Sequence, residues 1–412
     1  MAEQKKMVTM AEFAKKLAKD WKSESIIRTA DIIPGYTRIH TRAIAHDWAL
    51  YGGEPLGRIT QDSGMFHSGK TVSSGLEVAA LQAEYPDDAI LYVDAEHALD
   101  IPFYCLMNGI DPDKLWVFEP EIGMSAEQIL GTVMEMVDLV SNLRYIVIDS
   151  VAALVSESDM SSEFEKDNGM RASIAKSLHK FCREIISPLR LRNIGLKFIN
   201  QSRITGYMRG SGGSQIPIYG EYGGTAIGFF SSVSKRFGTR KFIDAEGNEL
   251  SGTKGDGAAG FRIYFNVIKN KTAPTARGGG FITYYYETGL DVVGDTFSTA
   301  LAFGFIPAAS STTYFLADPL TGEVYQENGK EIKGYAKALK AYLKDHPDFC
   351  EKYIKSLQQA MSAKNTINVS LLSDEVKEEI NREENSIAAD KEAANIELQG
   401  LTDADKQLVE EA

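Results

Sequence analysis

The sequence predicts an α/β fold built on a mainly parallel central sheet, with an N-terminal helical segment and a small C-terminal α/β domain. Two observations carry that prediction. Residues 61–72, QDSGMFHSGKTV, contain Gly64-x-x-x-x-Gly69-Lys70-Thr71, two glycines five apart followed by lysine and threonine. Four apolar runs follow: AILYVD (89–94), YIVID (145–149), GLKFIN (195–200) and FRIYFNVI (261–268), the first three separated by stretches of helical spacing. Strands alternating with helices cover both faces of a sheet and therefore pair in parallel.

The elements follow in chain order. Residues 1–32 read as helical, with Met10, Phe13, Ala14, Leu17 and Trp21 on one face and lysines on the other. Such a stripe needs a partner surface, either the chain's own core or a neighbouring subunit. The run PLGRITQ then predicts a strand, and TVSSGLEVAALQAEYP predicts a helix that stops at Pro86. Strand, glycine loop and helix in this order form a phosphate cradle: backbone N–H groups and a helix N-terminus face an anion. Gly64, Met65, Phe66, His67, Ser68, Gly69, Lys70, Thr71 and Val72 are the expected nucleotide-binding residues. Lys70 supplies a mobile charge to the β- and γ-phosphates of a triphosphate, and the Thr71 hydroxyl one ligand position on Mg2+. Downstream, FITYYYE predicts a strand antiparallel to the 261–268 run. GYAKALKAYLKDHPDFCEKYIKSLQQAM predicts two amphipathic helices broken near Pro347. The expected organisation is 1–32, a helical segment for the chain's own core or for oligomerisation; 33–304, the nucleotide-binding core; 305–365, a small C-terminal domain; and 366–412, an acidic, largely disordered tail.

Composition narrows the function. With 412 residues, 43% of them hydrophobic, the chain can bury a large core. Lys5 and Lys6 are followed by no apolar stretch of signal-peptide type, and no run approaches a membrane span, so a cytoplasmic protein is expected. Cys105, Cys182 and Cys350 are odd in number and widely spaced, as reduced structural thiols are. The net charge of −13 argues at first against a nucleic-acid partner. However, residues 374–412 hold 13 acidic and 4 basic side chains, a net of −9, leaving only −4 on the preceding 373 residues.

In open α/β sheets, ligands sit beyond the carboxyl ends of parallel strands. The first run ends at VDAEHALD, placing Glu96 where a carboxylate can take a proton from water attacking a γ-phosphate. The second ends at Asp149, suited to hold Mg2+ through water, and the third at Asn200-Gln201, whose amide can sense the γ-phosphate. Each alone is an ordinary strand-end cap; three on one rim beside a phosphate loop point to a nucleotide site. Lys269 and Lys271, two apart on a strand, share a face. They are either solvated edge lysines or charges offered to a phosphate, of this subunit or of a neighbouring one. Between Gln201 and Thr225, SRITGYMRGSGGSQIPIYGEYGG reads as a long structureless loop with Arg203, Tyr207 and Arg209 among its glycines, a composition suited to a nucleic-acid backbone and its bases. A second polar stretch, SESDMSSEFEKDNGMR (156–171), follows the Asp149 strand.

Together LYVDAEHALD, IVIDSVAALV, FINQSR, the GGTA after the glycine-rich loop and VIKNKTAP, in this order, closely resemble the signature segments of the RecA family of bacterial and phage homologous-recombination proteins, from about residue 30 to 360. The resemblance implies a DNA-dependent ATPase that forms a helical homo-oligomeric filament on single-stranded DNA, pairs it with double-stranded DNA and exchanges strands, with single-strand-binding and mediator proteins as possible partners. It implies a catalytic role for Glu96, Lys70, Gln201, Lys269 and Lys271, the two last acting on ATP across a subunit interface, and Mg2+ at Thr71 and Asp149. Adenine contacts are implied at Asp100, at Phe103 or Tyr104, and at Tyr286. DNA contacts are implied at Arg171, Arg203, Tyr207, Arg209, Gly223, Gly224 and Thr225. GMFHSGKT lacks the family's usual proline-glutamate interior, and the two loops diverge from it in sequence or length. A ring-forming helicase on the same core and a non-hydrolysing DNA coat are the alternatives.

Overall fold

The computed structural model describes residues 9–20, 36–160, 170–209, 215–251, 257–273 and 278–363. The acidic tail, most of the 156–171 stretch and the tip of the glycine-rich segment lie outside these residues, as does much of the helix expected over 1–32. The chain divides into two compact units, Met1–Thr37 and Arg38–Ala412. In the first, α1 (Met10–Asp20) opens on a reciprocal cap: Glu12 N–H donates to Thr9 Oγ1 at 3.3 Å, and Thr9 N–H donates to the Glu12 carboxylate at 2.8 Å.

The second unit opens with a ribbon of β1 (Arg38–Ile39) and β2 (Glu54–Pro55), with α2 (Ile44–Ala49) between its strands. An eleven-stranded sheet follows. Its parallel part consists of β3 (Ile59–Gly64), β4 (Ala89–Asp94), β5 (Leu115–Phe118), β6 (Leu143–Asp149), β7 (Gly195–Arg209) and β9 (Val233–Phe237), in the spatial order β9-β3-β7-β6-β4-β5. β8 (Gln215–Glu221) pairs antiparallel with β7, and β10 (Lys241–Ile243) with β11 (Gly260–Asn270). β12 (Gly279–Tyr285) and β13 (Gly289–Leu290) complete the antiparallel edge beyond β11, which itself pairs antiparallel with β9. The mainly parallel sheet and the antiparallel pairing of FITYYYE agree with the sequence.

Helices α3 (Lys70–Glu84) and α4 (Ile101–Asn108) cover one face, burying Val78, Leu81, Tyr92, Tyr104 and Val147. On the other, α5 (Ala126–Leu139) and α7 (Met170–Arg192) enclose Leu130, Val133, Ile146, Leu178, Ile185 and Phe198; the single-turn α6 (Glu157–Met160) lies between them in sequence. The short α8 (Ala226–Phe230) precedes β9, and α9 (Val292–Ala302) follows β13. The two predicted C-terminal helices are α10 (Ala336–Asp345) and α11 (Pro347–Ala363). Their apolar faces share one cluster with Ile44, Trp48 and Phe297. All three cysteines are buried free thiols. No described helix is long and apolar enough to cross a membrane.

One expectation is corrected. The segment 202–223 is not structureless: β7 continues past Gln201 to Arg209 and pairs antiparallel with β8, Ser202 with Glu221 and Arg209 with Gln215, with a β-bulge between Ile204 and Gly206. Of the glycines, Gly210, Gly212 and Gly213 lie between the two strands in sequence, outside the described residues, and Gly220, Gly223 and Gly224 lie near the base. Ile204, Thr205, Tyr207, Ile216, Ile218 and Tyr219 on the arms are residues that favour extended backbone.

Candidate nucleotide site and nucleic-acid surface

The phosphate loop leaves β3 at Gly64 and enters α3 at Lys70. Gly69 caps the helix at φ 89°, and a Cβ there would lie 2.5 Å from Ile263 Cδ1, so both conformation and packing demand glycine. His67 also takes positive φ, at 58°. Ser68 is buried, whereas Phe66 and His67 are exposed at the apex. Lys70 is nearly buried and folds back on its own loop, donating to the carbonyls of Gly64 (3.0 Å) and Met65 (2.8 Å) and to Ser68 Oγ (3.3 Å). Burial lowers its pKa, and the carboxylates of Asp149 and Glu96 oppose that. An ammonium held by neutral carbonyls is ready to exchange them for phosphate oxygens.

Thr71 Oγ1 donates to Asp149 Oδ2 at 2.7 Å, joining the first turn of α3 to the end of β6. The same oxygen accepts from the Tyr92 hydroxyl at 2.6 Å. Burial pushes Asp149 up to about 6, against the two hydroxyl hydrogen bonds. A hydroxyl and a carboxylate meeting beside a helix N-terminus form the hard-oxygen donor set that suits Mg2+ alongside phosphate. Tyr92 was not anticipated; within AILYVD it reads as one more apolar strand residue, and only the fold brings its hydroxyl to Asp149.

Glu96, just past β4, accepts from Gln201 Nε2 at 2.7 Å and from the Ser150 hydroxyl. The structure therefore joins the three expected strand-end groups on one rim: Glu96 to Gln201 directly, and Asp149 to the phosphate loop through Thr71. Asn200 donates to the Tyr222 carbonyl at 2.9 Å, fastening the base of the β7–β8 hairpin.

The candidate adenine residues separate. Asp100 caps α4, accepting from Phe103 N–H at 3.0 Å, and Phe103 is half-buried beside it. Tyr104 instead points into the core, 1% exposed, with its hydroxyl 3.1 Å from Ser74 Oγ and its ring edge-on to Tyr92. Residue 104 lies on the side of α4 that packs on the core. Tyr286 is partly exposed and lies 5.7 Å from the Phe261 ring.

Lys269 and Lys271 do share a face. Lys269 donates to the carbonyls of Gly228 and Phe229 (3.1 Å to the latter), and Lys271 to Phe229 at 3.3 Å, so both cap the end of α8. Burial and the adjacent Lys271 ammonium push Lys269 down to about 8.

On the hairpin, Arg203 lies over the Tyr222 ring at 4.9 Å, and Arg236 over Tyr219 at 5.8 Å. Tyr207 and Arg209 are exposed. Gly223 is instead buried, and a Cβ there would lie 2.5 Å from Leu178 Cδ1; Gly224 and Thr225 remain at the surface. Arg171 lies in the first turn of α7, its side chain outside the described residues. A further basic surface was missed. Lys176, His179, Lys180 and Arg183 line one concavity with Ser173, Ser177 and Glu127, and all four are exposed. Their i, i+3, i+4, i+7 spacing is that of a single helical face and is legible in ASIAKSLHKFCREI.

Known proteins resemble this chain over most of its length. A family model described as the RecA N-terminal domain matches residues 8–291. The protein RecA of Thermus aquaticus is 33% identical over 325 residues, 78% of this chain and 83% of its own. That of Chlorobium chlorochromatii is 34% identical over 303 residues, 72% of this chain and 78% of its own. That of Campylobacter jejuni is 29% identical over 361 residues, 86% of this chain and 94% of its own. With the phosphate loop, the rim of strand-end carboxylate and amide groups and the family match covering most of its length, this chain belongs to the RecA family.

Proposed function

We propose that this RecA-family recombination protein is a DNA-dependent ATPase that assembles as a helical filament on single-stranded DNA and exchanges it with a homologous strand of duplex DNA. The observation that carries the reading is the 2.7 Å hydrogen bond from Gln201 to Glu96, because Gln201 stands at the root of the same strand that becomes the basic hairpin. A change at the γ-phosphate position is thereby one side chain away from a DNA-facing element.

In this reading the residues 64–72 enclose the triphosphate, and Lys70 moves from the Gly64 and Met65 carbonyls to the β- and γ-phosphates. Thr71 and Asp149 would hold Mg2+, which would neutralise phosphate charge. Glu96 takes the proton of the attacking water, its Oε1 now accepting from Gln201 and Ser150. Loss of the Gln201 hydrogen bond as the γ-phosphate changes would tie hydrolysis to movement at the hairpin root. Phe103, Asp100 and Tyr286 are assigned to the adenine, and Lys269 and Lys271 to the ATP of an adjacent subunit. DNA is assigned to Arg171, Arg203, Tyr207, Arg209, Gly224 and Thr225, with the stripe Lys176, Lys180 and Arg183 taking backbone phosphates. Residues 1–32 are assigned to subunit contact and 305–365 to a small accessory domain.

Negative-stain microscopy with single-stranded DNA and a slowly hydrolysed ATP analogue tests the proposal. Helical filaments are expected. Closed rings would favour a helicase, and filaments formed without any DNA-stimulated phosphate release would favour an inert coat.

A further inference from the structure

Beneath α3, six titratable side chains meet without solvent exposure: Glu54, Asp62, Glu77, Lys197, Lys235 and His46. Lys197 Nζ lies 3.1 Å from Glu54 Oε1, 3.1 Å from Asp62 Oδ2 and 2.9 Å from Glu77 Oε2. Lys235 Nζ lies 2.6 Å from Glu54, 3.3 Å from Asp62 and 3.5 Å from Glu77. Asp62 and Lys235 are direct cross-strand partners on β3 and β9, and Lys197 arrives from β7 on the other side of β3. Three carboxylates therefore share two ammoniums, which leaves one formal negative charge sealed from water.

A lone charge in such a place is expensive, and a buried group takes up a proton rather than bear it. His46 does not supply the missing positive charge. Its Nε2 is 2.8 Å from Lys235 Nζ, where it must accept, and burial with the Lys235 charge holds it neutral, well below the usual histidine range. The donor atoms of His46, Glu54 and Glu77 lie within 4.8 Å of one another, as metal ligands do, but two ammoniums already stand among them. A metal ion would have to displace both.

We propose that this cluster is a proton-binding site whose single proton, carried on Glu77, is linked to nucleotide binding at the phosphate loop. The location supports the link. Asp62 is two residues before Gly64, and Glu77 lies six residues after Thr71 on α3, about 9 Å along the helix. Lys197 and Gln201 lie on one strand, four residues apart. Burial, reinforced by Glu54, pushes Glu77 up to about 7 against the pull of Lys197 and Lys235. Around the cluster stand the hydroxyls of Tyr104, Tyr145 and Tyr284, each raised by burial, and Asp47, also raised by burial. None of these contributes a compensating positive charge.

Nucleotide brings further negative charge to the N-terminal end of α3 and draws the Lys70 ammonium toward itself. Both favour the neutral form of Glu77, so binding should draw in a proton near pH 7. This linkage rests on the ATP reading; the proton site does not. Calorimetric titration of the full chain with ATP, in buffers of different ionisation enthalpy at pH 7, measures proton uptake. Wild type should take up a fraction of a proton per nucleotide, and Glu77→Gln should lose that part. Glu54→Gln, which also leaves two acids for two bases, should lose it too and serves if Glu77→Gln fails to fold. In nucleotide-free protein the raised Glu77 contributes stability that is full below the unfolded carboxylate range near 4.5 and is lost as pH rises through about 7. The denaturation midpoint of wild type should therefore fall over that window more steeply than that of either variant. Wild-type titration without binding heat would overturn the nucleotide reading and the linkage, leaving the pH slopes to decide the proton site. Equal proton uptake and parallel slopes in wild type and variants would overturn the proposal.

Discussion

Replacing Lys197 by methionine should be among the most damaging single changes in the chain. The side chain is fully buried and its ammonium lies within 3.1 Å of one oxygen on each of Glu54, Asp62 and Glu77. Methionine fills a similar volume, so packing is nearly conserved and the effect isolates the charge. Three carboxylates would then face Lys235 alone, and removing one partner of a buried ion pair costs about 3–5 kcal/mol. Against a typical total stability of about 5–15 kcal/mol, that is about a fifth or more. The double variant Lys197→Met/Glu77→Gln has the same formal cluster charge as wild type, and should recover about 2 kcal/mol of the loss. Urea unfolding of wild type, both single variants and the double variant at pH 8 closes the cycle. The loss should shrink at pH 5.5, where the carboxylates can protonate. A change under about 1 kcal/mol for Lys197→Met, or strictly additive losses, would refute the charge argument.

Glu96→Gln should retain ATP and DNA binding while lowering phosphate release about 10²–10⁴-fold, measured by single-turnover hydrolysis; near wild-type release would remove Glu96 from its role. Lys269→Ala/Lys271→Ala should bind nucleotide as a monomer yet lose DNA-stimulated hydrolysis. Mixing it with Lys70→Ala protein should restore partial activity if the lysines act on a neighbour, and silence in well-formed mixed filaments counts against that. Lys176→Ala/Arg183→Ala should weaken single-strand binding and reduce the slope of log affinity against log salt by about 1.4, at about 0.7 per phosphate contact; an unchanged slope would assign the stripe elsewhere.

The parts of the site legible in the sequence are those fixed by local order. Glu96, Asp149 and Gln201 each follow an apolar run, and parallel strands deliver their ends to one rim. The alternation at 269 and 271 likewise survives in the structure, since both lysines reach the Phe229 carbonyl. Long-range pairing was not legible. GLKFIN reads as an apolar run although it contains Lys197, and nothing in SSVSKRFG marks Lys235, because only the sheet order brings them to Asp62 and Glu77. The hairpin was mistaken for a loop because its glycines drew attention from the β-branched and aromatic residues of its arms. The inward turn of Tyr104 depends on which side of α4 meets β4, which spacing over eight residues does not decide.

The unbroken course of β7 has a mechanical meaning. Its inner half is clamped between β3 and β6, while the eight residues from Ser202 to Arg209 project beyond the rim, a lever arm of about 26 Å at about 3.3 Å per residue. Gln201 sits at the fulcrum. A tilt there of only about 5° would carry the far end of the arm about 2 Å, more than the range of distance over which a hydrogen bond is kept.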